Sequence, residues 1–134
     1  MCPLCGGLLS GKYTRDEQVE GARWQDGKDN ANRRATDHTW EVLDFLSAMA
    51  SDKGCSMSQL ALAWNMAQPG VTAPIIGPRT FLQVEDNLRA VDVEMTEEDL
   101  GRIDELVPPK GYVVRYYDEA NAIDFRPHQL RSIV

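Results

Sequence analysis

Gly77-Pro78-Arg79-Thr80, with Gln83 and Asn87 just beyond, is the stretch whose residue types and spacing best suit a bound ligand. A helix beginning at Thr80 offers free backbone N–H groups and the positive end of its dipole, and both favour a phosphate. Arg79 stands at the mouth of that turn with a planar guanidinium that can fork onto phosphate oxygens. Gln83 and Asn87 lie four apart, so their amides leave one helical face and can read a purine edge. The same letters also suit a plain strand–turn–helix with an exposed arginine and surface amides. Spacing alone leaves both readings open.

A second chemistry-bearing pattern is Cys2-Pro3-Leu4-Cys5. In an extended strand these thiols point to opposite faces roughly 10 Å apart. That separation forbids a disulfide and a shared metal. No second C-x-x-C or Cys/His pair completes a zinc site, so no metal is expected. A thioredoxin-type motif needs the pair at a helix N-terminus, and Gly6-Gly7 follows instead. Cys55 reads as a small buried residue at a helix junction. The count of three cysteines is odd, and no basic region followed by an apolar stretch opens the chain. The expectation is a cytoplasmic protein with reduced thiols and no secretory signal.

The elements that must position these residues are legible from the periodicity. Met1–Gly7 reads as a short buried strand ending in glycines, and Leu8–Tyr13 as the turn leaving it. Residues 14–37 are almost free of apolar side chains, which predicts a long polar loop of a kind that is usually functional or mobile. Thr36 or Asp37 can cap a helix carrying Trp40, Leu43, Leu46, Met49 and Ala50 at three- and four-residue spacings, ended by Gly54. Ser56 or Ser58 starts a second helix with Leu60, Ala63, Trp64 and Ala67 on one face, stopped by Pro69-Gly70. Val71–Ile76 is short, apolar and β-branched, and fits a strand buried on both faces. A third helix follows Thr80 with Val84, Leu88 and Val91 as its buried stripe. Thr96-Glu97-Glu98-Asp99 is close to a capping box for a fourth, carrying Leu100, Ile103 and Leu106 to Pro108-Pro109. Residues 110–134 form a tail.

Strands alternating with helices predict parallel pairing with helical crossovers. Two parallel strands with open edges are not a stable end point. The 134 residues therefore read as a single partial domain of a larger α/β fold. The net charge of −7 argues against a polyanion surface and so against nucleic acid. Tyr112, Tyr116, Tyr117 and Phe125, with Arg115 and Arg126, could stack on bases, but a tail packed on helices suits that charge better. No apolar run is long enough to span a membrane.

The stretch ALAWNMAQPGVTAPIIGPRTFLQVEDNLRAVDVEMTEEDLGRIDEL resembles the closing part of an aldo-keto reductase. PLCGGLLSGKY resembles the same family's segment at the seventh barrel strand, at the right distance upstream. The resemblance implies α/β architecture: the C-terminal part of a (β/α)8 TIM barrel, with strands seven and eight and their helices, too short to close a barrel alone. A whole barrel takes about 250 residues.

It also implies NADP(H). Pro3, Leu4 and Gly6, with Leu9, Ser10 and Lys12, would lie along the pyrophosphate and the nicotinamide ribose. Gly77 and Arg79 would hold the adenosine 2′-phosphate, and Gln83, Asp86 and Asn87 would contact the adenosine. Phosphate sites near barrel strands seven and eight agree with this, and Arg79 would favour NADP over NAD.

The family's catalytic Asp, Tyr, Lys and His come from earlier strands, so no catalytic residue is expected here. Lys12, Tyr13, His38 and His128 are not assigned that role. Trp24, in the polar loop, could cover a ligand or simply anchor the loop. Trp40 and Trp64 read as core.

The expected function is the cofactor-binding portion of a truncated NADP(H)-dependent oxidoreductase that reduces aldehydes and ketones, inactive as this chain alone. The alternative is a non-catalytic relative that binds nucleotide or a partner, as channel-associated subunits of the family do. Open strand edges would also allow self-association.

Overall fold

Regular structure begins where Thr36 Oγ1 accepts the Thr39 N–H at 3.1 Å. From this cap, α1 runs Asp37–Asp52. The computed structural model of the chain describes residues 3–15, 36–108 and 113. Most of the polar loop, Trp24 within it, Cys2, and all of the tail except Val113 fall outside those residues. Arg15 and Asp37 pair across the loop's two ends at 3.1 Å.

The end of α1 is a Schellman turn. Gly54 takes φ +65°, Cys55 N–H donates to the Ala50 carbonyl at 2.9 Å, and Gly54 N–H donates to Ser51 at 3.0 Å. Only glycine adopts that backbone at little cost.

Two residues later Ser56 caps α2, Met57–Met66. Ser56 Oγ accepts the Gln59 N–H at 3.1 Å, and Gln59 Oε1 accepts the Ser56 N–H at 3.2 Å. This is a complete capping box. Every residue from Met57 to Ala63 is buried, where one face (Leu60, Ala63, Trp64, Ala67) was expected. A helix buried all round must be enclosed. Around α2 lie α1, α3 (Phe81–Leu88) and two short 3-10 helices, Cys5–Ser10 and Arg89–Asp92. Its Met57 and Leu60 join Leu8, Leu43, Met49 and Ala50 in the core, on which Tyr13, Trp40 and Ile103 pack.

The fourth helix, α4, spans Glu97–Leu106. Asp99 N–H donates to Thr96 Oγ1 at 3.2 Å and Thr96 N–H to Asp99 Oδ2 at 2.9 Å. The shorter Asp therefore closes the box that usually takes Glu. Lys53, at the end of α1, clamps this start. Its Nζ donates to the Glu94 carbonyl at 2.9 Å and pairs with Asp99 Oδ2 at 2.7 Å.

Three expectations need correction. No strand forms among the described residues, so the two-stranded parallel start of a barrel, and the open edges it would offer for self-association, are not seen there. The expected first strand is instead the 3-10 segment Cys5–Ser10, kinked at Gly6 (φ +69°) and Gly7 (φ +98°), whose backbone is not helical. Positive φ at consecutive residues cannot continue a β-strand. This also removes the extended geometry from which the Cys2–Cys5 separation was argued.

Val71–Ile76 has no regular structure, and Ile75 is 85% exposed. A parallel strand needs a ladder partner, and the described residues supply none.

The third correction is the facing of α3. The Val84–Leu88–Val91 stripe was expected inside, yet Leu88 is 57% and Val91 71% exposed while Asn87 is buried. The cause is polar. Asp86 is hydrogen-bonded to the start of α2, which turns the polar face of α3 inward and its apolar face out.

Candidate functional site

The first wall of the site is built by glycines. The backbone folds at Gly6 and Gly7, and Ser10 Oγ donates to the Gly7 carbonyl at 2.6 Å. A Cβ at Gly7 would lie 3.5 Å from Lys12 Cε and Nζ, so the lysine stem rests on bare backbone. Lys12 Nζ sits 5.0 Å from the Tyr13 ring centroid, a cation–π distance.

The second wall is the approach to α3. Thr80 Oγ1 accepts the Gln83 N–H at 3.3 Å, and Gln83 Oε1 accepts the Arg79 N–H at 2.7 Å. The Gln83 oxygen is therefore committed to backbone, and its two amide hydrogens remain for other acceptors. One turn on, Asp86 Oδ1 accepts Gln59 Nε2 at 2.7 Å and Oδ2 accepts Ser56 Oγ at 3.0 Å.

Between the walls lies a cleft of about 400 Å³, within the size range of small-molecule sites. All the residues that the resemblance singled out line it (Pro3, Leu4, Gly6, Ser10, Lys12, Gly77, Arg79, Gln83, Asp86, Asn87) except Leu9. Leu9 packs on the core instead. Gly7, Ser58, Ile75, Ile76 and Pro78 line it as well. Among the described residues, neither the Lys12 ammonium nor the Arg79 guanidinium takes part in an ion pair. Two cations with no carboxylate partner among the described residues, beside a helix N-terminus, make the cleft receptive to an anion.

A second cavity of about 540 Å³ opens on the other side of Asp86 and is lined by Lys53, Cys55, Ser56, Gln59 and Arg89 among others. Burial pushes the Cys55 thiol up; the Lys53 charge opposes this and the Asp86 charge adds to it. The thiol form is thus favoured at neutral pH, and iodoacetamide should alkylate Cys55 several-fold more slowly than an exposed cysteine. Mass spectrometry of the time course checks this, and labelling as fast as a free thiol would contradict it.

Nothing in the geometry promotes the other titratable candidates. His38 meets Glu41 at 3.4 Å on the exposed first turn of α1, and His128 lies outside the described residues. Among the described residues, no group of three or more His, Cys, Asp and Glu is arranged to hold a metal ion. No helix there is long and apolar enough to cross a membrane.

The model of the aldo/keto reductase family matches residues 1–108. The chain belongs to the aldo-keto reductase family. Similar proteins include a probable voltage-gated potassium channel subunit beta from Oryza sativa subsp. japonica. It is 34% identical over 112 residues, covering 81% of this chain and 34% of that one. The uncharacterized oxidoreductase YrpG from Bacillus subtilis strain 168 is 35% identical over 109 residues, covering 81% and 31%. The L-glyceraldehyde 3-phosphate reductase of Escherichia coli K12 is 30% identical over 107 residues, covering 77% and 31%. This aldo-keto reductase chain thus spans about a third of the length of the curated relatives it matches.

Ser56, Ser58 and Gln59 were not read from sequence as belonging to the site. The S-x-x-Q spacing of a capping box was visible. What it did not reveal is that the same two side chains also reach Asp86, some thirty residues on.

Proposed function

We propose that this chain is the C-terminal, cofactor-binding portion of an NADP(H)-dependent aldo-keto reductase acting on aldehydes or ketones in the cytoplasm. The observation that carries the reading is the pair of cations, Lys12 and Arg79, which have no ion-pair partner among the described residues, on a glycine-walled cleft beside the N-terminus of α3. When bound, NADPH supplies the hydride that converts a carbonyl to an alcohol.

The part of this chain is to bind and orient. Arg79 neutralises the 2′-phosphate, Lys12 and Ser10 meet the pyrophosphate and nicotinamide ribose along Pro3, Leu4 and Gly6, and Gly77 leaves room for the phosphate. Gln83, Asp86 and Asn87 hold the adenosine. Leu9 supports that wall from the core side. The residues that act on the carbonyl come from the part of the relatives' length that this chain does not span. Residues 1–134 alone are therefore inactive.

Titration of NADPH fluorescence with the pure chain tests the binding. Weak binding is expected, and Arg79→Ala should lower the affinity for NADPH about tenfold or more while leaving NADH little changed. Equal losses for both cofactors would remove Arg79 from the 2′-phosphate. NADPH consumption with a reactive aldehyde should be absent; robust turnover would sink the assignment of the reacting groups elsewhere.

A second reading is favoured by the relatives named as potassium channel β subunits: a non-catalytic chain that binds nucleotide and docks on a partner protein. NADPH binding without turnover in a longer form of the protein would favour that reading.

A further inference from the structure

Asp86 reaches the cleft with both carboxylate oxygens already engaged from the other side. Gln59 Nε2 donates to Oδ1 and Ser56 Oγ to Oδ2. Gln59 is buried, and both donors are fixed in turn by the capping box they form with each other. One helix start therefore grips the carboxylate at two points, which sets the plane of the group and its rotation. Each carboxylate oxygen has about two acceptor positions. One on each is spent on α2, and the remaining acceptors belong to a residue that lines the cleft.

We propose that Ser56 and Gln59 are positioning residues which set the base selectivity of the cleft by aiming the free acceptors of Asp86. The inference rests on the nucleotide-binding reading above. An aimed carboxylate with only acceptors left favours a base that presents an amino group and opposes one that presents a carbonyl oxygen at the same place. Adenine carries that amino group at C6, and hypoxanthine carries an oxygen there. A half-buried acceptor that a bound base covers with another acceptor has no partner, and that mismatch is the source of the discrimination.

A merely structural tie between α2 and α3 predicts something else. Loosening it would weaken both nucleotides alike, because the phosphate contacts at Lys12 and Arg79 are common to them. The ratio of affinities therefore separates the two roles.

The experiment is a fluorescence titration of the 134-residue chain with NADPH and with its hypoxanthine analogue. The parent chain should prefer NADPH about tenfold. Gln59→Leu and Ser56→Ala should each bring the two affinities to within about twofold. Ser56→Thr keeps the hydroxyl and the cap, and should keep the parental ratio. Folding of each variant is checked by circular dichroism. Should both donor variants unfold, Asp86→Asn decides, because its amide can still accept from Gln59 yet offers hydrogens to the cleft; its preference should shift towards the hypoxanthine analogue. A parental ratio in a folded Gln59→Leu or Ser56→Ala chain, or in Asp86→Asn, would overturn the proposal. So would a parent chain that binds both nucleotides equally, which leaves the nucleotide reading intact. A parent chain that binds neither overturns that reading and this inference together.

Discussion

Leu60→Ala is expected to cost about 2–5 kcal/mol, the range for emptying a leucine site in a close-packed core. Leu60 is 1% exposed, on the helix that every neighbouring element leans against, and it touches the cluster of Leu8, Leu43, Met49 and Met57. Those partners come from three separate segments, so none can collapse into the void without dragging its own element along. A small domain has only about 5–15 kcal/mol in total, so the variant should lose a large fraction of its stability and unfold at a clearly lower urea concentration. Urea denaturation followed by circular dichroism measures the loss. Leu82→Ala is the matched control: Leu82 is 75% exposed on α3, and the same change there should stay within about 0.5 kcal/mol. Equal losses at the two positions would mean that α2 is not the centre of the core.

The second large effect is electrostatic and depends on pH. Asp99 is 12% exposed at its side chain and pairs with Lys53 at 2.7 Å. Burial pushes its carboxyl up, but hydrogen bonds from Lys53 and from the Thr96 backbone and hydroxyl outweigh burial and hold it below the ordinary 3.8. A carboxyl depressed in the folded state adds stability above its unfolded value. That contribution is lost as pH falls through the lower folded value.

Lys53→Met leaves the carboxylate buried without its cation, at a cost of about 2–3 kcal/mol near neutral pH. The gap between parent and variant should narrow as pH falls towards the depressed folded value of Asp99 in the parent and be nearly closed once Asp99 is protonated in both folded proteins. Urea melts at neutral pH and at a series of falling pH values below the ordinary 3.8 test this. A penalty that stays constant down the whole series would trace the loss to the packed lysine stem rather than to charge.

The helix starts were legible in the sequence because caps are local. Thr36, Ser56, Thr80 and Thr96 each satisfy an N–H three residues on, and that spacing can be read off the letters. Most of the residues that line the cleft, Leu9 excepted, had also been named through the family resemblance of the two stretches that contain them.

The facing of α3 was not. Periodicity puts Val84, Leu88 and Val91 on one stripe but cannot say that Asp86 will bond to Ser56 and Gln59, 30 and 27 residues away. Those bonds rotate the polar face inward against the hydrophobic pattern. Strand assignments at Met1–Gly7 and Val71–Ile76 failed for a related reason. An apolar, β-branched run becomes a strand only beside another strand, and nothing in a local window shows whether a neighbour is present. At Gly6 and Gly7 the glycines that looked like a strand's end permit a left-handed kink within the Cys5–Ser10 segment instead.

The enclosure of α2 has a kinetic consequence. Its amides sit under α1, α3 and both 3-10 helices, so they open to solvent only when the whole chain opens. The amides of α3, which carries an exposed apolar face, can be released by lifting that one helix. Native-state hydrogen exchange should therefore show two tiers, with α3 exchanging through a local opening and the middle of α2 reporting the global unfolding free energy. A ligand in the cleft, held between the glycine wall and the start of α3, would raise the lower tier first.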